Sequence, residues 1–276
     1  RALLAFTGGC GVATTLWGSF LMPSWRVVLG GAVLSLGLFL PVFDLAPIVR
    51  GVDRLTGFVL VWGLVVSLGA LATGRRGRGF PLWAAWALSV AALQFAYWSV
   101  LARFIVFLLP PLTFWLAEML EERGVPERLY AATLAVTLVL SVGIGLVDWT
   151  YAAAQRAAAR RVVAEHPGAT IWTAAHWGLQ EYLVAAGGKP LDLERGGWGE
   201  VEPGDVVVVT RANSNAQKPA RPVAANVSGW TVTSPVPLRH ISAWTGEGAF
   251  YSSVMGFLPW SLSREPIEEF TVVVPH

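Results

Sequence analysis

The chain has 276 residues, 54% of them hydrophobic and 14% charged, with a mean hydropathy of +0.55. Soluble domains carry about 25% charged residues, so this composition predicts an integral membrane protein. A single cysteine, Cys10 in an apolar run, excludes an intramolecular disulfide and a cysteine-based metal site, while the formal net charge of +2 says little by itself. A basic face for nucleic acid is unsupported because the cations sit at the boundaries of the apolar runs.

A helix needs about 20 apolar residues to cross a hydrocarbon core of about 30 Å. By that measure the chain reads as an integral membrane α-helical bundle, with spans near residues 2–22, 27–48, 56–72, 81–101, 103–117 and 129–147. Arg1 leads straight into apolar sequence without the charged start and small-residue cleavage site of a signal peptide, so a preceding segment is expected. Pro23-Ser24-Trp25-Arg26 makes the first connection, and Pro41, Asp44 and Pro47 crowd the end of the second span. The loop holding Arg75, Arg76 and Arg78 is the most basic, and the excess of cations in cytoplasmic loops places it inside. The turn at Ala102-Arg103 then lies outside, and Pro110-Pro111 should deform the helix that follows it. The sixth span carries the chain outward again.

A further helix is expected over 148–166, with Arg156, Arg160 and Arg161 either along anionic headgroups or on a solvated face. From Pro167 the pattern becomes that of a small extracytoplasmic α/β domain. Strands are expected at 169–173, 206–209, 230–232, 238–244 and 270–274, and a helix over 175–186 that stops at Gly187-Gly188. The division is thus a transmembrane helical domain over 1–150 and an extracytoplasmic α/β domain with a membrane-proximal helix over 151–276.

The sequence holds no phosphate-binding GxxxxGK[ST] loop, no dinucleotide fingerprint, no GxSxG elbow and no HExxH helix. His166, His176, His240 and His276 are widely spaced, so no metal and no cofactor is expected. Three stretches remain. Arg103 is a lone cation in apolar surroundings, fit either to clamp an anion or to snorkel to the interface. His176, Trp177, Gln180 and Tyr182 follow a strand, where an α/β sheet commonly binds ligands; the plainer role is a helix cap with aromatic core. Tyr251 belongs to an aromatic, glycine-punctuated loop over 248–260, suited to the membrane interface or to closing over a cavity.

Arg103 followed by Leu108-Leu109-Pro110-Pro111-Leu112 resembles the Arg-Tyr-Leu-Leu-Pro-x-x-Pro turn of bacterial GT-C membrane glycosyltransferases. These are relatives of protein O-mannosyltransferases and of the aminoarabinose transferase acting on lipid A. The stretch from His176 to Tyr182, Pro203-Gly204-Asp205 with its valine strand, and the tail from Tyr251 to Glu269 are similar to the family's C-terminal domain, so the likeness covers about residues 80–276. The resemblance implies an inverting transfer of sugar from a polyprenyl phosphate at the outer face of the bacterial cytoplasmic membrane. It gives Arg103 the lipid phosphate, although Phe104 stands where the family has tyrosine. The family's catalytic acid sits in an early outer loop, and here Asp44 and Asp53 lack its acidic context. The catalytic residue is therefore unassigned, and the chain is expected to be the C-terminal half of such an enzyme or a remnant that has lost its acid. The alternative is a non-catalytic accessory subunit that packs, with its 14 tryptophans, against lipid and other membrane proteins.

Overall fold

The computed structural model describes residues 9–21, 25–39, 51–73, 79–96, 105–175, 178–192, 196–212, 224–240 and 258–276. They form two compact units. One holds the described residues up to Ile144 together with those between 238 and 263; the other holds those of Gly145–Pro237 and Arg264–His276.

The first unit is helical: α1 (Val12–Phe20), α2 (Trp25–Phe39), α3 (Gly51–Thr73), α4 (Phe80–Ala96), α5 (Leu109–Glu122) and the first part of α6 (Glu127–Glu165). The expected six-span bundle is not what forms. Among the described residues two helices are long and apolar enough to cross a membrane, Asp53–Ala72 within α3 and α6 itself. The others have 9, 15, 17 and 14 residues. At 1.5 Å per residue, even the longest of these four rises only about 26 Å. Contrary to expectation, Pro110 does not bend a helix: it lies in the first turn of α5, where its missing N–H costs nothing.

Helix α3 packs against α1 and α2, and α5 against α4 and α1. Close approach to α3 depends on glycine, because a Cβ at Gly63 would collide with Thr15 Cγ2 and one at Gly69 with Val27 Cγ1. Trp17, Leu21, Leu71, Leu112, Leu116 and Leu120 fill the core. Trp17 Nε1 donates to Thr133 Oγ1 of α6 at 2.6 Å, so the buried indole is satisfied. A short antiparallel pair, β5 (Leu238–Arg239) with β6 (Ser261–Leu262), belongs to the same unit.

The second unit contains β1 (Ile171–Thr173), α7 (Gly178–Ala185), β2 (Lys189–Pro190), β3 (Val206–Thr210), β4 (Ala225–Val232) and β7 (Glu268–Pro275). The sheet is mixed, in the order β2-β1-β3-β7-β4; β1 runs parallel to β2 and β3, and β7 antiparallel to β3 and β4. Strand β3 is apolar on both faces, as a central strand must be. Val206 and Val208 join Phe270 and Val272 under α6 and α7, and Val207 packs with Trp172 and Ala174 on the other side.

Helix α6 changes character along its length. Through residue 146 it exposes Leu134, Leu138, Val139, Val142 and Leu146 on several sides. Beyond Asp148 it becomes amphipathic, burying Ala154, Gln155, Ala158, Ala159 and Val162, positions that repeat with the helical period. The alanines allow close contact with the sheet. The membrane-proximal segment expected over 148–166 is thus no separate element but the continuation of the sixth apolar run.

Candidate functional site

Of the residues singled out by sequence, Arg103, His176, Trp177 and Tyr251 lie outside the described residues. So does Asp44, whereas Asp53 is fully buried in the first turn of α3. Gln180 and Tyr182 are both half-buried on α7, the crossover helix between the parallel strands β1 and β2. Gly187, with φ 93, ends that helix; its N–H reaches Val184 O at 2.9 Å and the N–H of Gly188 reaches Leu183 O at 2.8 Å.

Tyr182 is brought to α6. Its hydroxyl accepts from Arg156 Nη2 at 3.3 Å, and the guanidinium carbon stands 5.2 Å from its ring centroid. Arg161 lies 4.2 Å from the Trp230 ring and bonds Glu165 at 2.8 Å. Of the three exposed arginines in the second part of α6, Arg156 and Arg161 therefore rest on aromatic rings of their own unit. Tyr151 and Gln155, the latter next to Arg156, turn toward the sheet.

They meet Glu268, the first residue of β7, which is 0% exposed. Its Oε1 accepts from the backbone N–H groups of Arg211 at 3.0 Å, Ala212 at 2.9 Å and Glu269 at 2.9 Å. Its Oε2 accepts from Tyr151 Oη at 3.1 Å and Gln155 Nε2 at 3.3 Å. Burial pushes this carboxyl above its ordinary value, against the pull of those hydrogen bonds. The neighbouring charges, Arg211 and Glu269, pair with each other at 3.1 Å on the exposed side.

This arrangement can organise structure but not abstract a proton. A carboxylate offers about four lone-pair sites, and five donors already converge on Glu268. It has no free oxygen and no solvent face to offer an acceptor hydroxyl. Its role is to tie the end of β3, the start of β7 and α6 together. Sequence reasoning passed it over, although one signal was present: Glu268 shares its strand parity with Phe270 and Val272, both inward-facing. Among the described residues no group of three or more His, Cys, Asp or Glu could hold a metal ion.

Comparison with known protein families, with curated proteins and with solved structures finds no match.

Proposed function

We propose that this chain is a membrane glycosyltransferase that takes a sugar from a polyprenyl-phosphate-linked donor at the outer face of a bacterial cytoplasmic membrane. The observation that carries the reading is α6. Its first part exposes apolar side chains suited to lipid, and its second part packs on a mixed sheet; the sequence motifs that resemble the C-terminal domain of GT-C enzymes add to this reading. The sheet unit is then the outer, water-facing part, and Arg103 the partner of the lipid phosphate. A guanidinium suits that task because it is permanently charged and offers paired donors to two phosphate oxygens. The general base belongs to a residue still to be assigned, since Glu268 is saturated.

The test is binding of polyprenyl phosphate to the intact protein in nanodiscs. Arg103→Ala should weaken it at least about tenfold, the loss of one charge-assisted contact. Arg103→Lys should recover only part, because an ammonium lacks the paired geometry. Equal binding by all three proteins would overturn the assignment.

A second reading, an accessory subunit without chemistry, draws on the exposed Trp25 and Trp149, 69% and 71% accessible. It predicts stoichiometric co-purification with another membrane protein and no binding of the lipid phosphate.

A further inference from the structure

The contact between α4 and α5 holds a cluster that sugar transfer leaves unused. Trp83 stacks on Phe114 with ring centroids 5.2 Å apart, and Phe80 meets Trp115 edge-on at 4.8 Å. One turn further along α5, Glu118 Oε1 accepts from Trp83 Nε1 at 3.3 Å. Among the described residues, Glu118 Oε2 and Trp115 Nε1 are buried and have no hydrogen-bond partner. Gly79 lies against the same two groups; a Cβ there would collide with Trp83 Nε1 and stand 2.8 Å from Glu118 Oε1.

Trp115 and Glu118 are three residues apart and so share one helix face. That face offers a carboxylate with one oxygen, Oε2, lacking a donor among the described residues, an N–H lacking an acceptor, and indole rings that favour a cation over their faces. Buried polar atoms are rarely left so in native proteins. A primary ammonium answers the carboxylate, and a phosphate oxygen a short linker away answers the indole.

We propose that Glu118, Trp115 and Trp83 hold the phosphoethanolamine headgroup of a membrane phospholipid. The proposal rests on the membrane reading above. It also implies a selection. A trimethylammonium head has no N–H to give Glu118, and a phosphoglycerol head has no cation at all. The ammonium donates to Glu118 Oε2, and Trp115 Nε1 donates to the phosphate.

Native mass spectrometry of the intact protein, released from nanodiscs containing equal phosphatidylethanolamine and phosphatidylcholine in phosphatidylglycerol, tests this. The protein should retain the ethanolamine lipid about tenfold over the choline lipid, in keeping with a hydrogen bond to a charged group. Successive N-methylation of the headgroup should erase the preference stepwise, a result that needs no variant protein to fold. Glu118→Gln should abolish the preference, while Glu121→Gln, on the exposed side, should keep it. No preference in the native protein, or a preference that survives Glu118→Gln, would overturn the site. Free phosphoethanolamine binding as tightly as the lipid would overturn the lipid as its source. Protein that enters nanodiscs normally but shows no preference refutes this site alone; failure to enter them refutes the membrane reading as well.

Discussion

Glu268 and Gln155 show how a polar pair is kept inside an apolar unit. Gln155 is 2% exposed, gives its Nε2 to Glu268, and leaves its own Oε1 without a partner among the described residues. Glu268→Gln is expected to be tolerated, because the new amide can keep Oε1 on the three backbone donors. Its Nε2 can then donate to Gln155 Oε1 once that amide turns over. Glu268→Ala strands those donors at about 1–3 kcal/mol each, enough to unfold a marginal unit. Thermal unfolding of the two variants separates the outcomes. The pH dependence has a definite sign. A carboxyl whose folded pKa is raised binds more protons folded than unfolded, so stability falls as pH climbs above its ordinary value of 4.5. Glu268→Gln should flatten that slope in urea titrations run at successive pH values. A slope unchanged by the substitution would show that other groups set it. The inward parity of Glu268 was legible in its strand. The seat of Tyr182 against Arg156 was not, because the two lie 26 residues apart and meet only through the β1-α7 crossover.

At the scale of elements, the apolar runs were legible but the helices were not. Hydropathy counts side chains, whereas helix ends are set by backbone donors. Pro81 lies in the first turn of α4, Pro110 in the first turn of α5, and Pro126 immediately before α6. Pro81 already reads in sequence as a start, whereas Pro110 reads as an interruption and acts in the fold as a start. The strand at Val206–Thr210 and the glycine stop after α7 lie where local pattern puts them, because both depend on signals within a few residues. The change of character along α6 carries a prediction. Val139, 70% exposed, lies in the stretch assigned to lipid. Val139→Lys should cost about 2.5–3.5 kcal/mol of insertion if it sits near the bilayer centre. Alkaline carbonate extraction should then release more of this variant than of Ala157→Lys, whose site is exposed on the amphipathic part. Equal release would place the apolar part of α6 outside lipid.

For the molecule as a whole, no local pattern announces the strand order. Consecutive strands usually neighbour each other, yet β7 enters between β3 and β4, pairing Val207 with Val273 on one side and Val227 with Val273 on the other. That placement joins parts of the chain far apart in sequence, and only burial of the whole valine surface rewards it. A chain stopped after Ile267 would leave β3 and β4 each without a neighbour on that side. Limited proteolysis should then cut within 206–210 or 225–232, strands that the full sheet protects; resistance of both equal to the intact chain would show that β7 is dispensable.

The central position of β7 also bears on biosynthesis. During translation the ribosome delivers β3 and β4 well before residues 268–275, so both expose unsatisfied backbone edges while the nascent chain is still tethered. Such edges invite pairing with other strands. The sheet unit is therefore open to such pairing until β7 emerges, and a prematurely terminated copy would keep those edges exposed.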